Sequence, residues 1–396
     1  MVKKILNFFL DPLFRDVRFW AVAILSLPLF MWLAWQLTPK RKLVTAVIDK
    51  TVLTKEGQEH ISLNWVLNQE RFTKNNSELY KGESDYFGFF PYADEKYRIR
   101  GLERFSEQQL TQLSKDCKAV YLTDAYGIYR NEWYKHKNIN ERSGIIYGGM
   151  SENDLVLLKK MKAQKKLIIT EFNCLATPTQ TVIRDEFEKN FGVRWTGWVG
   201  RYFDSFDTSR NKELPRWLIR NYMRQNNYKW PFKKPGIAFV NITDEVVILE
   251  EGTHLNIPYP KIISTIGARE QFGVPQKLRY SFWFDVVQSN ADMNKVESVY
   301  EIYTNANGQK ELTRRGLSRK FPAVISHRGT DYTFYYFAGD FSDNPIKLRS
   351  SYFKGVGFFK WMMYNRVDAN NRESFFWNYY RPMVTTILNE YYDRVD

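Results

Sequence analysis

Cysteine is nearly missing from this chain of 396 residues: Cys117 and Cys174 are the two present. They lie far apart and outside any CxxC or Cys/His spacing, which excludes a disulfide framework and a zinc finger or ribbon. Glycine and proline are sparse, at 21 and 14, and no Pro-, Gly- or Ser-rich tract marks a linker or a low-complexity segment. Internal repeats are missing as well, which excludes a solenoid. What remains is a globular composition, 44% apolar and 26% charged, long enough for one large or two modest domains with a real core. Acid is in short supply: 44 Asp and Glu face 58 Lys and Arg, a net charge of +14. The basic residues are scattered, with short clusters at Lys40–Lys42, Lys159–Lys166 and Arg314–Lys320. Nucleic-acid binders concentrate such charge in a stripe interleaved with stacking residues, so no nucleic-acid partner is expected. A basic domain held beside anionic headgroups is the reading preferred here.

Aromatic residues are plentiful, 17% of the chain. They fill cores, and they also make flat platforms for sugars or partner surfaces. One apolar run stands out, FWAVAILSLPLFMWLAWQL from Phe19 to Leu37, free of charge throughout. As a helix it reaches about 28 Å, close to the hydrocarbon thickness of a bilayer. Trp20, Trp32 and Trp35 sit towards its ends, where indole rings favour the interface, and Pro28 is tolerated mid-span with a kink. Thr38-Pro39-Lys40-Arg41-Lys42 follows without a small-x-small cleavage pattern, so the run reads as an uncleaved signal anchor. Basic residues flank both ends almost equally. A short N-terminus before a long domain favours the N-terminus inside and the domain outside. The expected organisation is an N-terminal cytoplasmic or interfacial segment over 1–18 (with 2–14 lying in the interface), a transmembrane helix over 19–37, one domain over 43–349, and aromatic-rich helices over 350–396. That places the chain in the inner membrane as a single-pass protein with an extracytoplasmic, periplasmic domain.

Within 43–349, strand-like runs alternate with helical ones. Val44–Leu53, Asp85–Pro91, Lys118–Tyr129 and Leu167–Phe172 read as strands, and Gly236–Val240, Glu245–Leu249, Leu278–Val287, Val296–Thr304, Phe321–His327 and Tyr332–Ala338 follow. Helices are expected over Leu63–Phe72, over Ser106–Leu113 with a Ser106/Gln109 capping box, after Ser151, and over Thr179–Phe191, ended by Gly192. Asn307-Gly308 is a hairpin signal. Ser350–Tyr364 and Ser374–Tyr392 read as the C-terminal helices. The fold class is therefore α/β: a mostly parallel sheet with helices on both faces, and an antiparallel hairpin insertion near 270–320.

In such sheets ligands bind beyond the C-terminal strand ends. Three proposed strands finish on an acid: Asp49 in VIDK, Asp124 in LTDAYG and Glu171 in ITEFN. If adjacent, they converge on one edge, where they can bind a cation, orient sugar hydroxyls or divide acid and base roles. Acids also end buried strands simply because the chain reaches water there. After Glu171 a strand, tight turn and helix place Asn173-Cys174 where a nucleophile elbow would expose a side chain. His254 is the partner such a thiolate would want, and an inert buried Cys174 is the alternative. Trp195, Trp198 and Arg201 in WTGWVGRYF, and Asp340 and Asp343 in FAGDFSDN, are candidate ligand loops or packing and turn residues. His60, His136 and His327 show no metal spacing. No metal and no cofactor is expected.

The order strand, IIYGGM, helix, LIITEF, elbow, helix resembles the class I glutamine-amidotransferase-like superfamily, relatives of flavodoxin-like sheets. The late pair PAVISHR and YTFYYFAGDF resembles the closing hairpin of its trehalose-utilisation-type members. The resemblance covers residues 43–345. Family amidotransferases carry a glycine-flanked elbow Cys and a late His and Glu. Here the elbow lacks those glycines and no His-x-Glu pair follows, which implies a degenerate, non-catalytic member. The expected function is thus a binding or assembly component of a cell-envelope complex, contacting the lipid bilayer, membrane-protein partners and polysaccharide. The alternative is an envelope-carbohydrate hydrolase or transferase using the strand-end carboxylates, and a Cys174–His254 acyl-transfer enzyme is a third reading.

Overall fold

The computed structural model describes residues 17–134 and 143–395; the expected interfacial segment at 2–14 and His136 lie outside the described residues. Helix α1, Val17–Leu37, contains Pro28, and its stretch Trp20–Leu37 has a mean hydropathy of 1.6. Leu25, Leu29 and Phe30 point away from the rest of the chain. The domain-proximal end behaves differently. Met31 packs against the core, and Trp35 is only 4% exposed. The Trp35 indole donates to the Asn68 carbonyl at 3.0 Å. Arg71 donates to the Trp35 carbonyl at 2.8 Å and lies 4.7 Å over its ring. An apolar helix whose last turns carry such contacts is fixed to the domain it precedes.

The main sheet has ten strands. In chain order they are β1 (Thr45–Asp49), β2 (Phe87–Pro91), β3 (Tyr97–Ile99), β4 (Ala119–Leu122) and β5 (Leu167–Glu171). The second sheet takes β6 (Val193–Phe203), β7 (Gly236–Asn241), β8 (Val246–Glu250) and β11 (Trp283–Ser289), and the remaining main-sheet strands are β9 (Lys261–Ser264), β10 (Lys277–Arg279), β12 (Lys295–Glu301), β13 (Lys320–Arg328) and β14 (Thr333–Phe337). The order across the main sheet is β10-β9-β12-β13-β14-β5-β4-β1-β2-β3. From β14 to β2 every pairing is parallel, and outside that block every pairing is antiparallel. The sequences TAVID, AVYL and LIITE are buried at every position, as continuous apolar strands covered on both faces must be. Among the covering helices are α2 (Gln58–Gln69), α3 (Glu107–Asp116), α4 (Glu152–Ala163) and α5 (Thr181–Phe191). Ser106 and Ser151 both close capping boxes, and Gly192, at φ 65, ends α5 as its C-cap.

The second sheet runs β8-β7-β6-β11 and is antiparallel. It meets the main sheet where the Asp285 N–H donates to the Ala338 carbonyl at 3.1 Å. The antiparallel part is therefore larger than the expected insertion, beginning at Val193 rather than near 270. Two shorter helices follow, α6 (Arg216–Gln225) and α7 (Ile266–Phe272). Asn307-Gly308 does not turn a hairpin. It lies in the first turn of α8 (Ala306–Arg314), where the Asn305 side chain caps the Gly308 N–H. A Cβ on Gly308 would come 2.1 Å from the His254 carbonyl, so the glycine serves a close approach rather than a turn. In place of one helix over Ser350–Tyr364 there are two 3-10 stretches, Leu348–Tyr352 and Val356–Met362. The last helix starts at Arg372, passes through a π turn at Phe376–Tyr380 and continues as α9 (Arg381–Val395).

Candidate functional site

Because β1, β4 and β5 are adjacent and parallel, Asp49, Asp124 and Glu171 leave the sheet on one edge, as the alternation of elements anticipates. β14, on the far side of β5, adds Asp340 and Asp343 to the same edge. The first turn of α2 adds Glu59 and His60. Asp49 is buried; its Oδ2 lies 2.5 Å from His60 Nδ1, and its Oδ1 accepts the Thr51 N–H at 3.0 Å. His60 Nε2 sits 2.7 Å from the Gly82 carbonyl. A carbonyl only accepts, so Nε2 carries a proton.

Glu171 is also buried. Its neighbour Ser342 has one hydroxyl proton, which goes to the Glu59 carbonyl at 2.6 Å. The short contact between Ser342 Oγ and Glu171 Oε1 is then satisfied when the carboxyl itself is protonated and donates. Burial pushes Glu171 well above the usual carboxylate range against hydrogen bonds from Ser342, with Asp340 and Asp124 adding to the push. Asp124 rises for the same reasons, burial first and then Asp340 and Asp49. Glu59 rises through burial, Asp49 and Asp343. Asp340 is pushed up to about 7 by burial and Asp343, against the pull of Arg372 and Arg201. Arg372 holds Asp340 at 3.1 Å and Asp343 at 2.8 Å, and Gln58 donates to Asp343 at 2.7 Å. Chemically, the edge gathers acids of which Glu59, Asp124, Glu171 and Asp340 are pushed above the usual carboxylate range, with one arginine across its mouth. Among the described residues no three His, Cys, Asp or Glu side chains are arranged to hold a metal.

Just beyond β5, the elbow turns the other way. Asn173 takes the left-handed conformation, φ 64, and Cys174 points into the core with no exposure. Burial pushes the thiol up, and Asp285, Tyr336 and Thr170 surround it. Asp285 braces this turn from β11: it accepts from the Tyr336 hydroxyl at 2.6 Å and from the Asn173 backbone, and burial pushes it up to about 7. His254 sits past β8, its Nδ1 accepting the Glu250 N–H at 3.2 Å and its ring 6.4 Å from that of Phe232. No hydrogen bond or ring contact joins it to Cys174, so the thiol–imidazole pair expected from the sequence is not formed. A second correction concerns the aromatic loop. Trp195 and Trp198 lie in β6 at 8% and 7% exposure, on either side of a bulge. The Trp195 indole donates to the Trp198 carbonyl at 2.9 Å, and Arg184 covers the Trp195 ring at 5.1 Å. These rings are packed into the core and offer no ligand platform. Arg201 pairs with Glu213 at 2.7 Å.

Glu59, Ser342 and Arg372 were not anticipated from the sequence. Ser342 follows a strand end and was within reach of the same reasoning, whereas Glu59 comes from the first turn of α2. Arg372 arrives from the C-terminal helix, and nothing local marks it.

The arrangement defines an α/β protein with a ten-stranded mixed sheet and one apolar N-terminal helix. No family model and no curated protein sequence matches the chain. Among solved structures the likenesses are distant: a ThuA-like protein from Bacteroides uniformis at 8% identity and TM-score 0.34, covering 84% of this chain and 95% of the other; the carbohydrate deacetylase Agd3 at 7% and 0.31, covering 76% and 29%; and a beta-galactosidase from Bacillus circulans sp. alkalophilus at 10% and 0.33, covering 78% and 30%. The chain spans under a third of the length of the last two.

Proposed function

We propose that the chain is a non-catalytic binding or assembly component of a cell-envelope complex. In this reading α1 crosses the inner membrane once and holds the amidotransferase-like domain at its extracytoplasmic face, where membrane proteins and polysaccharide are the contacts and nucleic acid is not. The observation that carries it is α1 itself. Its outer surface is apolar and bare, yet its last turns are pinned through Trp35 and Arg71, so lipid on one side and the domain on the other account for the whole helix. The sealed elbow thiol and the engagement of Asp340 and Asp343 by Arg372 support a role without chemistry.

A second reading, a carbohydrate hydrolase or transferase, has one observation in its favour: Asp124 and Glu171 hold protons above the usual range, as a general acid does. One experiment separates the two. The full chain carrying Asp124→Asn and Glu171→Gln is cross-linked in cells and extracted in detergent beside the wild type. The binding reading expects the same co-purifying membrane proteins and full complementation of a deletion strain. Intact co-purification with lost complementation would transfer the case to the enzyme.

A further inference from the structure

Large apolar side chains left in water are normal singly and informative when they cluster. Phe358, Trp361 and Met362, in the 3-10 stretch Val356–Met362, are 85%, 59% and 66% exposed. This stretch does not hang loose. Gly355 enters it at φ 79. Gly357 lies so close to the Arg381 guanidinium that a Cβ would come 2.7 Å from it, and Arg381 in turn faces the Trp377 ring at 5.5 Å. The core therefore holds the tip outwards.

Its position relative to α1 says what covers it. The Lys354 N–H donates to the Met31 carbonyl at 3.0 Å, and the Tyr352 ring meets Trp35 edge-on at 4.9 Å. Met31 precedes the end of α1 at Leu37 by roughly 9 Å at 1.5 Å rise per residue. With α1 read as the anchor and leaving the bilayer at Leu37, chain that touches Met31 lies below that level, at the depth of the headgroup and upper acyl region. Phe, Trp and Met interspersed with Lys354 and Lys360 is the composition of an element lying in that interface, and the two lysines suit anionic headgroups.

We propose that the Val356–Met362 stretch is a second membrane contact, a foot that inserts Phe358, Trp361 and Met362 into the leaflet on the domain side of α1. It rests on the anchor reading of α1. With two points of attachment the domain is held in one orientation, its strand-end edge at a fixed height above the lipid.

The test uses the full chain in vesicles of phosphatidylcholine and phosphatidylglycerol, with a nitroxide on one introduced cysteine at a time. Cys117 and Cys174 are buried and stay unlabelled. Labels at Phe358→Cys and Met362→Cys are expected to collide more with oxygen than with a water-soluble nickel chelate. Leu25→Cys on α1 should do the same, and Tyr228→Cys, exposed elsewhere on the domain, should show the reverse ratio. A nickel-dominated signal at 358 and 362 with a lipid signal at 25 overturns the foot and leaves the anchor standing. Shielding of 358 from both reagents means a protein covers the patch, which also overturns it. A nickel-dominated signal at 25 removes the anchor and the foot together.

Discussion

Two neighbouring parts of the molecule treat their conspicuous side chains in opposite ways. At the C-terminal ends of β1, β4, β5 and β14 the acids gather, Asp49 and Glu171 buried and Asp340 and Asp343 only 14% and 18% exposed at the side chain. At the elbow after β5 and along β6, the thiol and the tryptophans are closed in. The elbow lies beside the acid edge in sequence and differs in what stands behind it: β11 crosses there, and its Asp285 accepts from the Tyr336 hydroxyl and the Asn173 backbone. Where loops and the first turn of α2 meet past the strand ends, acids collect within reach of His60 and Arg372, whereas a strand end backed by a second sheet closes the same residue types in.

The largest effect that would break this contrast lies in β6. Truncating a sealed aromatic removes its transfer free energy and leaves a cavity, so Trp195→Ala should cost about 3–5 kcal/mol. The measurement is the denaturant midpoint of the detergent-solubilised chain. A loss below about 1 kcal/mol, the usual size for an exposed position, would return Trp195 to the surface.

Next in size is the brace behind the elbow. Asp285 has its carboxyl pushed up to about 7 by burial, some three units above an unfolded Asp, which corresponds to roughly 4 kcal/mol. The sign follows from proton counts. Between about pH 4 and pH 7 the folded chain holds a proton here that the unfolded chain has released, so stability falls as pH rises through that window and is flat above it. Asp285→Asn, which keeps an acceptor for the Tyr336 hydroxyl, should therefore gain on the wild type as pH rises, by roughly 4 kcal/mol at pH 8. Parallel stability curves for the two proteins across pH 4 to 8 would show that Asp285 is ionised and compensated.

Legibility in the sequence divides along the same line. β1, β4 and β5 are continuous apolar runs with capped helices between them, and local pattern alone puts Asp49, Asp124 and Glu171 on one edge. The apolar run that became α1 is equally plain. The second sheet is written less clearly: WTGWVGRYF reads as a loop because Gly197 and Gly200 interrupt it, but Gly197, at φ 87, makes a bulge inside β6. Asn307-Gly308 misleads because a helix cap and a hairpin draw on the same residues, and only the approach of the His254 carbonyl decides between them. Cys174 sits on the turn after β5 where the strand–turn–helix order puts it, with Asn173 at positive φ. Its burial depends on Tyr336 and Asp285, far away in the chain, which no local pattern carries. Arg372 closes the acid edge for the same non-local reason.

Arg201 provides the smallest and finest probe, because it stands on the open side of the boundary although its neighbours in β6 stand on the closed side. Its pair with Glu213 is partly exposed on one member and largely exposed on the other, and such pairs contribute up to about 1 kcal/mol. Arg201→Met also gives up the guanidinium contacts over the Phe203 and Trp283 rings at 4.9 and 5.6 Å, each about 0.5–1 kcal/mol at such sites, so the whole change should cost no more than about 2–3 kcal/mol. Its charge nevertheless reaches Asp340, which Arg201 and Arg372 together hold down against burial. Losing Arg201 should move the Asp340 titration upward from about 7 with little change in fold. A shift in that titration with a stability loss no larger than this marks Arg201 as part of the acid edge. A larger loss of stability with the titration unmoved would assign it instead to the packed interior with Trp195 and Trp198.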